Sequence, residues 1–480
     1  MERHYRLDWA LLEGGWRRDV GVAVDEQGHI VRIETERAQT AEVPAASRAM
    51  ADSQTPPDAE RVAGFVVPGM PNAHSHAFQR GMAGNTEYRL SSRDSFWTWR
   101  QAMYALARRI TPSDLELIAA QLFVEMLKAG YTSVAEFHYL HRKADGAAYA
   151  ATNELWEAIA RAADTAGIGL TFLPTLYQTS DFGSQPLKPE QSRFALTTAE
   201  FLRAVETRVS AERQLASPRI RTGAAFHSLR AVPLETLREA VRSLSSIDAE
   251  LPIHIHIAEQ KKEVDACLAA TGHRPIELLL ETGLVNERWC LVHATHATPA
   301  ELRDIAAARA AVCVSISTEA NLGDGFFDAA RFLESNGRIC VGSDSQATVC
   351  PAEELRWMEY QARLRKRRRG VLADSREPHV GTRLWRDAAR HGAAALGQPA
   401  GVIAQGARAD WLVLDAEHPS MAGARDATAL DHLIFAGGSP AIRDVMVAGR
   451  WVVKARRHAA EERLAEPFKE LMGRLALEGA

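Results

Sequence analysis

Two pairs of histidines are spaced i, i+2: His74 and His76 in Ala73-His-Ser-His, and His254 and His256 in His254-Ile-His-Ile-Ala-Glu259. Alternate side chains of an extended backbone share a face, so each pair offers two imidazoles to one side, where they can hold one cation. His-Ser-His on its own is equally at home in a loop. In the second pair His256, nearer the end of its apolar run, is the better ligand, and His254 reads as a core or supporting residue. Glu259 follows three residues later, where a carboxylate can move protons for water at a metal or simply complement a helix N-terminus. The runs Cys290-Leu-Val-His293-Ala-Thr-His296 and Val341-Gly-Ser-Asp344 end in further candidate ligands. One cation could receive three imidazoles and one carboxylate with room for water.

Such residues need a scaffold that brings distant segments to one place. From 65 to 348 short β-branched runs alternate with longer segments of helical period, the pattern of βα units. The strand candidates are Phe65–Pro68, Thr132–Phe137, Gly169–Pro174, Ile220–Phe226, Pro252–Ile257, Trp289–Val292, Ala311–Ile316 and Arg338–Gly342. Ser113–Ala129 is typical of the helices between them, with Asp114 and Glu116 in its first turn and Gly130 after its end. Eight parallel strands covered by helices predict an α/β fold, a TIM-like (β/α)8 barrel whose active site lies at the strand C-termini. His74, His76, His138, His227, His254, His256 and His293 all fall at or just past those ends.

The flanks differ. Residues 16–35 read as antiparallel strands around a Gln27-Gly28 turn, and 402–416 and 443–454 read likewise. A small β-sandwich built from both chain ends is expected, with 1–64 as its first part, 65–400 as the barrel, and 401–480 as its second part plus a terminal helix. Residues 38–61, rich in Ala, Ser, Pro and acids without a period, read as a loop insertion.

Composition excludes several classes. With 57 Lys+Arg against 61 Asp+Glu, nothing in the overall charge favours nucleic acid or an anionic membrane as a partner. No apolar window approaches the ~18 residues of a membrane span, and the charged first residues do not suit a secretory signal. Five cysteines without C-x-x-C argue against a disulfide framework or zinc knuckle and fit a reducing cytoplasm. The basic run Arg363–Arg369 ends a helix and lacks interleaved aromatics, so a solvated or subunit-contact face is favoured over nucleic acid. Trp97 and Trp99 suit a core or a pocket wall equally.

The segment Val67-Pro-Gly-Met-Pro-Asn-Ala-His74-Ser-His76, the His256-x-x-Glu259 pair, His293 and Gly342-Ser-Asp344 together resemble the signature of the amidohydrolase superfamily, in its cytosine deaminase and chlorohydrolase branch. Gly406-Ala-Arg-Ala-Asp410-Trp-Leu-Val-Leu is similar to that family's returning sandwich strand, so the likeness spans nearly the whole chain. Within the branch, Ala73-His-Ser-His-Ala-Phe-Gln79-Arg-Gly-Met, Phe96-Trp-Thr-Trp-Arg100, Glu136-Phe-His-Tyr139, Phe226-His227-Ser-Leu-Arg230 and Pro351-Ala-Glu-Glu-Leu-Arg-Trp-Met-Glu-Tyr resemble the formimidoylglutamate deiminases. The insertion at 38–61 departs from that family's pattern. Binuclear superfamily members use a carbamylated lysine on the fourth strand, and 214–240 contains no lysine.

The resemblance implies one Zn2+ per chain held by His74, His76, His256 and Asp344, with Asp344 accepting a proton from the attacking water. It implies Glu259 as the carrier of a proton to the leaving nitrogen and His293 as the residue that donates to, or orients, the oxygen at the metal. The small-molecule substrate it implies is N-formimino-L-glutamate, converted with water to N-formyl-L-glutamate and ammonia in histidine degradation, and the assembly a homodimer. Two substrate carboxylates need cationic or hydrogen-bonding partners. Arg230 is the first candidate, Arg100 and Tyr139 the second, Gln79 can reach the formimino or α-carboxylate end, and His227 sits at a strand end. Arginines after aromatic clusters often only stack, which weakens Arg100. The competing readings are a deaminase of guanine, cytosine or an adenosine derivative, and a non-catalytic relative that keeps the barrel for assembly.

Overall fold

The computed structural model describes residues 2–35, 56, 58–87, 96–150 and 153–476. Four N-terminal strands come first: β1 (Arg3–Leu12), β2 (Gly15–Val24), β3 (Ile30–Glu34) and β4 (Glu60–Pro68). The barrel follows with β5 (Met70–Ser75), β6 (Tyr131–His138), β7 (Gly169–Leu176), β8 (Ile220–Thr222), β9 (Ala224–Phe226), β10 (Ile253–Ile257), β11 (Trp289–His293), β12 (Ala311–Val314) and β13 (Arg338–Val341). The chain then returns through β14 (Trp411–Leu414), β15 (Ile442–Val447), β16 (Arg450–Lys454) and β17 (Arg457–His458), and a helix, Glu461–Leu475, follows.

All barrel pairings are parallel, in the order β5-β6-β7-β9-β10-β11-β12-β13, with β8 beside β7. β8 and β9 are one strand interrupted at Gly223, where a Cβ would meet Leu173 and Pro252 at 2.5 and 2.9 Å. Closure of β13 onto β5 is confined to the mouth, where Ser75 and Asp344 form a parallel bridge. The helix Pro112–Ala129 is capped by a reciprocal Thr111–Asp114 pair and stopped by Gly130 at φ 106°, as its sequence predicts.

The terminal sheet runs β17-β16-β15-β14-β4-β1-β2-β3, so strands from both ends of the chain meet at β14 and β4. Its inward residues, among them Tyr5, Val22, Val66, Trp411 and Met446, form an apolar core separate from that of the barrel. Arg408 joins the two bodies: wholly buried, it pairs with Asp410 and donates to Gln398 and to the Pro218 carbonyl. A buried guanidinium is tolerated because each face of its fork has an acceptor.

Three strand expectations are corrected. Phe65–Pro68 belongs to β4 of the terminal sheet, and the first barrel strand is β5, one residue beyond Gly69. Both runs are apolar and buried on both faces, so periodicity could not tell which sheet each joins. β1 was not anticipated, because its alternation is diluted by Arg3, Arg6 and Asp8. Ala311–Ile316 stops at Val314, and Ile316 opens a short helix to Leu322. Of the expected 38–61 insertion, 38–55 and 57 lie outside the described residues, while Glu60 and Arg61 begin β4. No described helix is long and apolar enough to cross a membrane.

Candidate active site

The barrel mouth gathers the histidines from strands far apart in sequence. His74 and His76 leave β5, His256 leaves β10, His293 ends β11, and Asp344 follows β13. His76 donates its Nδ1–H to the Phe137 carbonyl at 2.9 Å, and His256 donates its own to the His227 carbonyl at 2.8 Å. A carbonyl only accepts, so both Nε2 atoms carry lone pairs. They point at each other: His256 Nε2 lies 3.3 Å from His76 Nε2 and 3.0 Å from His74 Nε2. The Asp344 carboxylate stands 3.4 Å from the Nε2 of both His74 and His76. Facing lone pairs repel unless a cation lies between them. The spacing suits one, since the edges of a tetrahedron with metal–ligand bonds of ~2.0–2.1 Å are ~3.4 Å. The residues therefore fit a divalent metal.

Electrostatics agree. Burial pushes His74 down to about 3 and lowers His76 and His256, which keeps all three neutral and able to ligate. Burial would raise the Asp344 carboxyl, but its hydrogen bond with His74 and the neighbouring imidazoles outweigh it and hold Asp344 well below the usual carboxylate range. His293 differs in kind. Burial alone would depress its ring, but Glu259 at 3.8 Å, Glu319 at 3.3 Å and Asp344 at 3.7 Å push it up to about 10. Glu319 pairs with Nδ1 and so aims Nε2 at Glu259 and Asp344. Burial raises Glu259 to about 7, against the pull of His293. Its backbone N–H donates to Glu263 at 3.2 Å.

Ala258, His293, Ala294 and Asp344 all have φ between 46° and 73°. Left-handed conformations outside glycine cost of order 1–3 kcal/mol each and persist where surroundings impose them. Here neighbouring strand ends do so, through Ala294 N–H to the Ile257 carbonyl and Asp344 N–H to the His74 carbonyl.

One cavity opens from this cluster, and Gln79, Arg100, Tyr139, His227 and Arg230 all line it together with Glu259, His293 and Asp344. Arg230 is 5% exposed and, among the described residues, makes no ion pair; its Nε has no hydrogen-bond partner. Glu263 and Glu259 hold it charged against the effect of burial. Arg100 stacks over Trp97 at 4.6 Å and Tyr104 at 5.5 Å, yet its Nε is also unpartnered. Gln79 donates to the Tyr139 hydroxyl at 2.8 Å and keeps a buried, unpartnered Oε1. The His227 ring is wedged between Tyr139 and Tyr177, with centroids 5.5 and 4.5 Å away.

Two strand-end histidines lie elsewhere. His254 reaches the Ala395 carbonyl at 2.8 Å, in keeping with a supporting role, and His138 packs against Phe172 and His141. Trp99 lines the cavity, while Trp97 takes up Arg100 and Lys262. Arg365–Arg369 are exposed, and Arg363 lies over Tyr360 and Phe435. Sequence reasoning missed Glu319, Tyr104, Tyr177, Thr318 and Ser345. Glu319 was missed because the strand expected to run through Ile316 hid the turn of helix that presents it.

Residues 65–452 match the profile described as "Amidohydrolase family". A formimidoylglutamate deiminase of Pseudomonas aeruginosa is 48% identical over 97% of this chain and 98% of its own. A 5-methylthioadenosine/S-adenosylhomocysteine deaminase of Halobacterium salinarum is 26% identical over 85% of this chain and 88% of its own. Among solved structures, an amidohydrolase from Brucella melitensis superposes with TM-score 0.88 at 40% identity, covering 99% of this chain and 100% of its own. A zinc-bound adenosine deaminase from Xanthomonas campestris shares the fold, with TM-score 0.77 at 22% identity over 98% of both chains.

Proposed function

The chain belongs to the amidohydrolase family, and on that premise we propose that it is a hydrolytic deiminase converting N-formimino-L-glutamate and water to N-formyl-L-glutamate and ammonia. The observation that carries the reading is Arg230, a buried cation that makes no ion pair among the described residues and lies in the same cavity as the histidine cluster. A desolvated guanidinium is costly unless an anion arrives, and this substrate brings two carboxylates. A flat nucleobase or 5-methylthioadenosine brings none, which separates this reading from a deaminase of those substrates.

His74, His76, His256 and Asp344 would hold a single zinc ion. Zinc when bound supplies Lewis acidity that brings water to a pKa of roughly 7, so hydroxide is available near neutrality. Asp344 takes a proton from the attacking water at its carboxylate. His293, oriented by Glu319, donates from Nε2 towards the oxygen that adds to the amidine carbon. Glu259 delivers a proton to the leaving nitrogen; its raised pKa of about 7 lets it hold that proton and release it within the working range. Ammonia then departs from the tetrahedral carbon. Arg230, with Arg100, Tyr139, His227 and Gln79, binds and orients the glutamate portion. We also propose a cytoplasmic homodimer: the five cysteines are free, which suits a reducing compartment, and Trp357, Tyr360 and Leu364 leave an exposed apolar stripe on one helix for a subunit contact.

The test is ammonia release from formiminoglutamate, guanine, cytosine and 5-methylthioadenosine, with metal counted per chain. Turnover of formiminoglutamate alone supports the reading; a preference for a nucleobase or nucleoside overturns it.

A further inference from the structure

Gln191 is fully buried on the 3-10 turn Pro189–Phe194, behind the cavity wall. Its amide cannot be turned round, because Oε1 accepts the Lys188 backbone N–H at 3.0 Å and a backbone N–H can only donate. Nε2 is therefore the end that meets two tyrosines, donating to the Tyr177 hydroxyl at 2.8 Å and the Tyr104 hydroxyl at 3.3 Å. Tyr104 comes from the helix Phe96–Arg109 and Tyr177 from the residue after β7; both are buried and both line the cavity.

The hydrogen count follows. Each hydroxyl oxygen accepts from Nε2, so neither hydroxyl hydrogen is used there. If one tyrosine donates to the other, a single hydrogen is consumed and one remains. Both tyrosines line the cavity with Arg100 and Arg230, so that hydrogen is free to serve a group bound there. Burial pushes the Tyr177 phenol well above its ordinary range, so it stays protonated.

We propose that Gln191 is a positioning residue that fixes the Tyr104–Tyr177 hydroxyl pair so that its one remaining hydrogen is donated to the substrate carboxylate held by Arg230. The inference rests on the deiminase reading and deepens it by adding a neutral hydroxyl donor to the carboxylate end. An arrangement of donors alone discriminates against a cationic or uncharged tail as well as attracting an anionic one.

The experiment compares steady-state kinetics of the metal-loaded parent with Tyr104→Phe/Tyr177→Phe, with Gln191→Glu, and with all three changes together. Gln191→Glu keeps an acceptor for Lys188 N–H but accepts from the tyrosines, turning their hydrogens away from the cavity. The expected result is a KM for formiminoglutamate raised roughly 10-fold or more in both the double and the Gln191 variant, with kcat much less affected. In the double-phenylalanine background Gln191→Glu should add little, since its route of action is gone. An unchanged KM in the double variant overturns the proposal. So does an equal penalty for Gln191→Glu in both backgrounds, or an equal loss on a carboxylate-free formamidine. Should the parent release no ammonia from formiminoglutamate, the deiminase reading falls. The calorimetric affinity of glutarate for parent and double variant then decides the tyrosines: weaker binding by the double variant upholds their role, and equal binding overturns it.

Discussion

Asp344 and His74 are joined twice, once by backbone and once by side chain. The Asp344 N–H donates to the His74 carbonyl at 3.0 Å, and the Asp344 carboxylate lies 3.4 Å from His74 Nε2. The first contact closes β13 against β5, and the second belongs to the site. His76 N–H returns a bond to the Asp344 carbonyl, and Asn72 staples the same seam through Ser343. Closing the barrel and assembling the ligand set are thus one event.

Asp344→Asn separates the two. The amide keeps the backbone seam and the shape of the side chain but withdraws the anionic ligand and the proton acceptor. Turnover should fall at least 10²-fold, the lower end of what a lost acid–base group costs, and the metal should be held more weakly. Melting of the metal-free protein should be nearly unchanged. A large drop in that melting temperature would mean that the carboxylate charge itself closes the seam.

Glu259→Gln should retain the metal, because Glu259 touches His293 and not the cluster of Nε2 atoms. The loss in kcat should be about 10²–10⁴-fold, since the amide keeps the hydrogen bonds but carries no proton. A variant that holds its metal and works within a few-fold of the parent would remove Glu259 from the proton path.

The sequence made the ligand set legible because period-2 spacing on strands is a local signal: His74 with His76, and His256 beside His254, announce their faces without tertiary information. It could not say that His254 turns to Ala395 at the other end of its strand, which depends on a helix more than a hundred residues later. Arg230 and Gln79 were legible only as candidates; their orphaned Nε and Oε1 atoms are properties of packing. Glu319, Tyr104 and Gln191 carried no local pattern. The first barrel strand was misplaced because β4 and β5 are adjacent apolar runs, and pairing with β1 and β14 decides which joins the terminal sheet.

Arg230→Met tests the carboxylate clamp. Truncating one side of a buried charge pair typically costs 2–5 kcal/mol, so kcat/KM for formiminoglutamate should fall by that equivalent while metal content holds. A carboxylate-free formamidine should lose little. Equal losses on both substrates would make Arg230 a support of the fold, acting through its neighbours Glu259 and Glu263.

The last prediction concerns pH and the helix that carries Glu319. Glu354, fully buried on the helix Pro351–Lys366, accepts from the Ser317 backbone N–H at 3.1 Å and from its hydroxyl, and so fastens the turn that presents Thr318 and Glu319. Burial raises its carboxyl from 4.5 to about 8, with Glu319 and Glu353 adding to the shift and Ser317 opposing it. The sign follows directly. Between those two values the folded chain holds a proton that the unfolded chain has released, so stability falls as pH rises through the window, by at most about 1.4 kcal/mol per pH unit for one group. Below 4.5 both states are protonated, and above 8 the deficit is complete and constant. Glu354→Gln cannot ionise and can still accept from the Ser317 N–H. Urea midpoints of the metal-free parent and variant, taken every half unit from pH 5 to 8.5, should therefore diverge steadily in the variant's favour. Titrating groups that do not interact with Glu354 are common to both proteins and cancel in the difference. Parallel curves would mean that Glu354 ionises at an ordinary carboxylate pH, and that solvent reaches a side chain the packing shows as sealed.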